Sequence, residues 1–167
     1  MTLDLQAIPL TAFVAVMATA AFEDFRRLVI PNLLPIALCA LWPLYFAAAP
    51  SLYGGLGAIG CAAAVFLGGA ILFARGVLGG GDVKLLSAAT LWAGPAGTPA
   101  LLMLTGVLGG ILALFLLIPF GRNLVGMARV MLRQPPLDAA RGLAIPVPYG
   151  IAIAGAALIV TLAPHLG

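Results

Sequence analysis

Apolar runs of membrane-spanning character, separated by short polar breaks, make up most of this sequence. Six runs are predicted to form transmembrane helices: Ile8–Phe22, Leu33–Ala49, Gly54–Ala74, Val83–Ala93, Pro99–Phe120 and Pro146–Ala163. A helix needs about 20 residues to cross a bilayer, so the short first run is expected to extend towards Asp24. The short fourth run is expected to begin at or before Asp82 and to run on towards Gly97. The pattern predicts an all-α polytopic membrane protein with six transmembrane helices, in a single membrane domain over residues 1–167.

Composition supports this interpretation. Hydrophobic residues make up 63% of the chain and charged residues only 8%, against about 25% charged residues in soluble domains. The net charge of +3 does not indicate a nucleic-acid partner, because the basic residues are dispersed in short loops. Cys39 and Cys61 both fall in apolar runs, so we expect small core residues there and no zinc site.

The six-span prediction also sets the orientation in the membrane. With six crossings, all eight Lys and Arg residues fall on one side: Arg26, Arg27, Arg75, Lys84, Arg122, Arg129, Arg133 and Arg141. The opposite loops, Pro50–Tyr53 and Gly94–Thr98, contain no Lys or Arg. Because short cytoplasmic loops are enriched in Lys and Arg, the basic side is predicted to be cytoplasmic and both termini periplasmic.

Two further patterns concern helix contacts. Small residues recur every four positions in the third run (Gly60, Ala64 and Gly68) and in the fifth (Gly106 and Gly110). This spacing favours close helix packing in lipid, although apolar helices are also simply rich in small residues.

The long polar loop Gly121–Ala144 forms the second pattern. Its arginines Arg122, Arg129 and Arg133 fall on one helical face, and the prolines that follow Gln134 are predicted to end that helix. A basic amphipathic helix predicts contact with anionic lipid at the interface. The alternative is an ordinary solvated connector.

Two aspartates, Asp24 and Asp82, lie in polar breaks that the topology brings to the same membrane face. Carboxylates at a membrane edge are costly and usually functional, and two that share a proton can activate water. Asp24 alone could be a counter-charge for Arg26 and Arg27. Asp82, after three glycines, could be a loop residue that caps a helix, with the glycines allowing unusual dihedrals or the close approach of another chain.

Both aspartates lie in motifs that resemble one family. Asp24-x-Arg-x-x-x-Ile-Pro-Asn32 and Gly79-x-Gly-Asp-x-Lys84 together resemble the type IV prepilin peptidases, membrane aspartyl proteases of the Gly-x-Gly-Asp class. Ile145–Gly155, with Pro148 and Gly150, resembles the family's Pro-aromatic-Gly entry to the last helix. The chain is similar to the short form associated with Flp-type (tight-adherence) pili, because it lacks the cysteine tetrad of the bifunctional members. N-methyltransferase activity is therefore not assigned.

The resemblance implies a function and a site. Asp24 and Asp82 would be the catalytic pair, and Gly79, Gly81, Lys84, Pro148 and Gly150 would bind substrate or support the site. The substrate would be a prepilin, cleaved near the cytoplasmic face of the bacterial inner membrane, with no cofactor and no metal. The alternatives are a small proton-coupled transporter or channel subunit, which also needs membrane acids, and a non-enzymatic assembly scaffold.

Overall fold

The computed structural model describes residues 7–47, 52–134 and 147–163. Within these residues the chain forms six helices: α1 (Ala7–Arg27), α2 (Leu33–Ala47), α3 (Leu52–Ala74), α4 (Gly80–Leu117), α5 (Pro119–Met131) and α6 (Tyr149–Leu162). Several predicted features lie outside the described residues: both chain ends, Pro50 and Ser51 of one outer loop, and positions 135–146 with Pro135, Pro136 and Arg141.

The helices confirm the predicted all-α fold. Three of the described segments are long and apolar enough to cross a membrane: Ala7–Arg27, Gly54–Ala74 and Gly80–Leu117. α2 and α6 are apolar but shorter, with 15 and 14 residues. The predicted extensions to the two aspartates are correct, because α1 continues past Phe22 to Arg27 and α4 begins before Asp82. The predicted continuation of the fourth run towards Gly97 is wrong, because the helix breaks at Gly94. The number of crossings stays a prediction.

The fourth and fifth predicted runs form one element, α4, which is bent back on itself. A straight helix of its 38 residues would be about 57 Å long, far more than the bilayer core of about 30 Å. Gly94 interrupts it with φ 64° and ψ −177°, a conformation open almost only to glycine. Pro95 then begins the second arm, and proline suits a first helical position.

Packing on both sides of Gly94 shows that the chain reverses there. The first arm, residues 80–93, runs along α3. Val83 near its start lies against Gly69, and Pro95, just after the Gly94 turn, lies against Gly57. The second arm, residues 95–117, runs back along α6, from a contact between Gly97 and Val160 to one between Gly109 and Tyr149. Both arms therefore return to one end of the bundle, which we call the aspartate end because it holds Asp24 and Asp82.

An aromatic cluster holds α1, α2 and the first arm together near Gly94. The Trp92 ring lies 4.7 Å from the Phe13 ring and 5.0 Å from the Tyr45 ring, measured between centroids. The indole Nε1–H of Trp92 donates to the carbonyl of Leu38 at 3.1 Å. The indole N–H is the one polar group of the Trp92 side chain, and this hydrogen bond satisfies it. The cluster packs α1, α2 and the first arm together at the end of the bundle opposite the aspartates.

The predicted small-residue faces are not the packing faces. A Cβ added at Gly60, Gly68, Gly106 or Gly110 would meet no atom within 4 Å. The close contacts are instead at Gly57, Gly69, Gly97 and Gly109. Glycines lie on more than one face of α3 and of the second arm, and the reversal at Gly94 decides which of them meet a neighbour.

α5 turns its polar side to the protein and its apolar side outward. Arg129 is only 3% exposed, so the predicted lipid-facing role of the basic face is wrong for this residue. Five large apolar side chains of the same helix are well exposed: Phe120, Leu124, Met127, Val130 and Met131. α5 begins at Pro119, so Phe120 belongs to this helix and not to the fifth run.

Candidate active site

Asp24 lies in the last turn of α1 and its side chain meets the start of α6. The residue is 5% exposed, and its Oδ2 accepts a hydrogen bond of 2.6 Å from the backbone N–H of Gly150. That amide is in the first turn of α6 and has no partner within its own helix. The helix N-terminus therefore supplies both a hydrogen bond and a favourable dipole to the carboxylate.

Gly150 lies directly against this carboxylate, and Pro148 lies two residues before it in the chain. A Cβ on Gly150 would lie 2.9 Å from both Cβ and Oδ2 of Asp24, which is too close for any other residue without a shift. Pro148 is buried and precedes α6 as its N-cap, with φ −73° and ψ 80°. A proline there fixes the direction from which the chain enters the helix.

Asp82 is the third residue of α4 and is partly exposed. Its carboxylate accepts a hydrogen bond from the backbone N–H of Gly79, the N-cap residue, which is the reach-back half of a capping box. A Cβ on Gly79 would lie 2.6 Å from Oδ2 of Asp82. The charges of Asp82 and Asp24 interact electrostatically, so the fold brings the two motifs to one place.

The glycines before Asp82 act through close packing and not through unusual dihedrals. Gly79 has φ −71° and ψ 142°, which most residues can adopt, so that expectation is wrong for this position. A Cβ on Gly81 would lie 3.1 Å from Cβ of Ile30, which is buried between α1 and α2. Gly81 thus lets the start of α4 pack against the connection that follows Asp24.

Lys84 contacts the end of the first motif. Its Nζ donates to Oδ1 of Asn32 at 2.8 Å, and both residues are exposed. Asn32 directly precedes α2, where an asparagine side chain can cap a helix start, but here its side-chain oxygen accepts a hydrogen bond from Lys84. Asn32 belongs to the first motif and is a candidate site residue that the predicted set of substrate-binding or supporting residues did not include.

Comparison with known proteins matches the part of the chain that carries both aspartates. A family model described as the type IV leader peptidase family matches residues 11–114, more than half of the 167 residues. The chain belongs to the type IV leader peptidase family. Comparisons with curated proteins and with solved structures give no match.

Family membership gives the general activity. A type IV leader peptidase is an aspartic peptidase that processes prepilin leaders, and it belongs to a bacterial inner-membrane family with several membrane spans. The matched residues 11–114 contain Asp24 and Asp82 but neither α5 nor α6. The contacts that these two helices make with Asp24 and Phe25 come from beyond the matched region.

Arg129 is the residue near the site of this leader peptidase that sequence reasoning missed. Its Nη1 donates to the carbonyl of Phe25 at 2.7 Å, one residue after Asp24. Burial lowers the pKa of the Arg129 guanidinium from its usual value, and the charge of Asp24 opposes that change. The only sequence signal was the amphipathic pattern of α5, which does not say which face turns inward.

Three hydroxyls inside the bundle are satisfied locally, whereas the buried hydroxyls of Thr105 and Thr161 have no hydrogen-bond partner among the described residues. The first three each donate to a carbonyl one turn earlier in the same helix: Ser87 to Val83 at 2.7 Å, Thr90 to Leu86 at 2.8 Å and Thr98 to Gly94 at 2.7 Å. A transporter is expected to line a pathway with polar side chains, and these three are turned to their own backbone. In the described parts of the leader peptidase, no three His, Cys, Asp or Glu side chains group as metal ligands would.

A lateral apolar groove begins beside the site. It has a volume of about 650 Å³ and lies between α2, α3 and the first arm of α4. Its lining includes Asn32 and Lys84 at one end and Cys39, Ile59, Ala63 and Phe66 along its length. Cys39 is exposed, so the expectation of a core position is wrong for it. In this leader peptidase the groove connects the lipid-facing surface with the residues next to Asp82.

Proposed function

We propose that this leader peptidase removes the leader from type IV prepilins of the Flp-like kind, with Asp24 and Asp82 as the water-activating pair. The observation that carries the proposal is the meeting of the two carboxylates at one end of the bundle, where their charges interact. Each has a backbone N–H donor that orients it: Gly150 for Asp24 and Gly79 for Asp82.

In the proposed reaction the pair holds one proton between two carboxylates. The ionised carboxylate takes a proton from water, and the water oxygen attacks the scissile carbonyl carbon. The protonated carboxyl gives its proton to the carbonyl oxygen, forming a tetrahedral intermediate without an acyl-enzyme. Collapse breaks the C–N bond: the amine leaves with the proton first taken from water, and one hydroxyl of the intermediate returns its proton to the carboxylate that had protonated the carbonyl oxygen. Because the carboxyls interact, they titrate as a pair.

The substrate subtype is supported by the cysteine pattern. The sequence contains two cysteines, one on α2 and one on α3, and not the tetrad of the bifunctional members. This favours the short, Flp-associated form.

We further propose six crossings, with the aspartate end at the cytoplasmic face. The reversal of α4 at Gly94 supports this topology, because each arm can serve as one crossing. Exposed Lys84 and its partner Asn32 would then face acidic groups near the cleavage point. Exposed Arg133 would face anionic lipid.

The lateral groove is the proposed path for the apolar helix of the substrate. A prepilin would lie in the bilayer, so its apolar helix can reach the site only from the side. The groove is open to the side, apolar, and ends at Lys84, two residues from Asp82. Its continuity with the aspartate end supports this assignment over a plain lipid-filled crevice.

Co-expression with candidate prepilins from the same genome tests the proposal. Wild-type enzyme should shorten the prepilin by its leader, as measured by mass spectrometry of the pilin. Asp24→Asn and Asp82→Asn should each lower cleavage by about 10²- to 10⁴-fold, the usual contribution of a general acid or base. Both variants should still insert in the membrane.

Glu23→Gln is the matched control for the aspartate variants. Glu23 is next to Asp24, but its carboxylate pairs with Arg27 at 3.1 Å, with the Arg27 side chain 57% exposed and the Glu23 side chain 19% exposed. Ion pairs near the surface contribute little. This variant should cleave nearly as well as the wild type. Substantial leader removal by either aspartate variant would contradict the two-aspartate mechanism.

A further inference from the structure

Arg129 is a buried cation that closes the end of α1. The last four carbonyls of a helix have no partner within it. At the end of α1, the N–H of Leu28 donates to the carbonyl of Asp24 at 2.8 Å, and Nη1 of Arg129 donates to the next carbonyl, that of Phe25, at 2.7 Å. Since Arg129 is 3% exposed, water screens its charge little.

The backbone around Arg129 is held rigidly. Its carbonyl accepts hydrogen bonds from the N–H groups of Leu132 at 3.0 Å and Gln134 at 2.9 Å, while the N–H of Arg133 donates to the carbonyl of Val130 at 2.9 Å. Arg133 has φ 57°, so these bonds form a Schellman motif at the end of α5. A non-glycine residue rarely adopts this left-handed conformation, so the cap bonds hold it there. The guanidinium is thus carried by a fixed helix end.

The charges around Asp24 make Arg129 the cation that acts on it. Asp24 interacts electrostatically with Arg129, and Asp82 interacts with Asp24. On neighbouring elements, Glu23 pairs with Arg27 on α1, and Lys84 on α4 donates to Asn32. Arg26 on α1 and Arg122 on α5 also lie on neighbouring elements, but Arg129 is the cation whose charge acts on Asp24. α6 contributes the Gly150 amide.

We propose that Arg129 is a positioning residue that keeps Asp24 as the ionised, proton-accepting member of the pair, which leaves Asp82 as the proton donor. This inference rests on the proposed two-aspartate function and adds the assignment of roles. In the reaction, the proton of water moves to Asp24, and the proton of Asp82 moves to the scissile carbonyl oxygen. The competing explanation is that Arg129 only caps α1.

Three substitutions at Arg129 separate charge from capping. Arg129→Lys keeps the charge, Arg129→Gln keeps a hydrogen-bond donor without charge, and Arg129→Met keeps neither. We expect Arg129→Lys to retain most of kcat. Arg129→Gln and Arg129→Met should lower kcat by about tenfold or more at similar KM, since a nearby opposite charge alters carboxylate ionisation by at least that factor. Arg133→Gln, next to the same helix end but exposed, is the control and should leave kcat unchanged.

The rates are normalised to folded enzyme and compared with thermal stability in detergent. A cap alone predicts that Arg129→Gln matches Arg129→Lys and that any loss of kcat follows the loss of folded protein. Either result would overturn the assignment.

A second measurement needs no substrate. Dicyclohexylcarbodiimide modifies protonated carboxyls in apolar surroundings, and mass spectrometry locates the adduct. At neutral pH, Asp24 should react several-fold faster in Arg129→Gln than in wild type or Arg129→Lys. Equal rates in all three would reject the role of Arg129. If the wild type cleaves no prepilin, the proposed function fails, and this labelling still decides whether Arg129 holds Asp24 ionised.

Discussion

At the residue scale, the site depends on glycines that leave space for carboxylates. A Cβ on Gly150 would collide with Asp24, and a Cβ on Gly79 would collide with Asp82. Each glycine also provides the amide that holds the same carboxylate. The two aspartates are therefore oriented in the same way, by a backbone N–H at a helix start whose residue cannot carry a side chain. This explains why a glycine must stand at each of these positions.

Gly150→Ala and Gly79→Ala should each lower cleavage much more than they lower stability. The added methyl displaces the carboxylate, and a displacement of about 1 Å can cost about 100-fold in rate. The measurement is the cleavage rate per folded enzyme. Gly155→Ala on α6, whose Cβ would make an ordinary contact of 3.5 Å, and Gly80→Ala, beside the movable Phe73 ring, are the matched controls. Equal rates for all four variants would show that these glycines only shape the fold.

Gly81 should behave differently from Gly79. The Cβ of a substituted residue 81 would press on Ile30 at 3.1 Å, which belongs to the packed core. Gly81→Val should therefore lower both the cleavage rate and thermal stability in detergent, since overpacking usually costs about 1–3 kcal/mol. A loss of cleavage at unchanged stability would instead favour direct approach of the substrate backbone at Gly81.

At the element scale, the sequence predicted where helices form better than where they turn and pack. Alternation of apolar runs with polar breaks gave α1, α2, α3 and α6 within a few residues, because long apolar runs have few other options in a membrane. The predicted loop Gly94–Thr98 is longer than the turn in the structure, where only Gly94 is non-helical. Thr98 is in fact helical and buried, since one residue, Gly94, makes the whole turn.

The sequence did not predict which face of each helix packs against its neighbours. Glycine spacing marked Gly60 and Gly68, but the packed position is Gly69, because the partner's location follows from the reversal of α4. Arg129 was predicted to face lipid, but its side chain turns inward and donates a hydrogen bond to the carbonyl of Phe25 at the end of α1. Both outcomes depend on contacts between residues far apart in the chain, and a single sequence does not reveal such contacts.

Narrowing the lateral groove should weaken substrate binding. Ala63 lines the groove, so Ala63→Trp should fill part of it and raise KM for a prepilin several-fold with a smaller change in kcat. Ile71→Trp, at an exposed position of the same helix outside the groove lining, is the control and should leave KM near the wild-type value. A wild-type KM for Ala63→Trp would argue that the substrate helix binds elsewhere.

At the scale of the whole molecule, one end of the bundle collects all the proposed chemistry. α1 ends there, α4 begins there, its second arm returns there, and α6 begins there. Helix starts and ends supply unpaired N–H and C=O groups, and in this molecule those groups hold Asp24, Asp82 and Arg129. A site at a bundle end needs no polar residues in mid-bilayer, which suits the local pairing of Ser87 and Thr90.

Cleavage by the proposed aspartate pair is expected not to require a metal ion. A pair of carboxylates that shares a proton can activate water without a Lewis acid. Cleavage in vitro should therefore survive a strong chelator at the same rate as the untreated enzyme. Loss of activity with the chelator and recovery with zinc would reveal a metal site formed with residues beyond those described.

The last prediction concerns the side of the membrane on which the aspartate end lies. In a background with Cys39 and Cys61 replaced by Ala, single cysteines are introduced at exposed positions at each end of the bundle. Ala96→Cys, at an exposed position beside the Gly94 turn, should react with an impermeant thiol reagent from the periplasmic side. Val77→Cys, in the 68% exposed position before the start of α4, should react only after the cytoplasmic side is opened. This outcome follows from the prediction that all eight Lys and Arg residues lie on one side of the membrane, because basic loops stay cytoplasmic. Labelling of position 77 from outside would put Asp24 and Asp82 at the periplasmic face. The leader of a prepilin would then meet the enzyme only after export, which contradicts cleavage at the cytoplasmic surface.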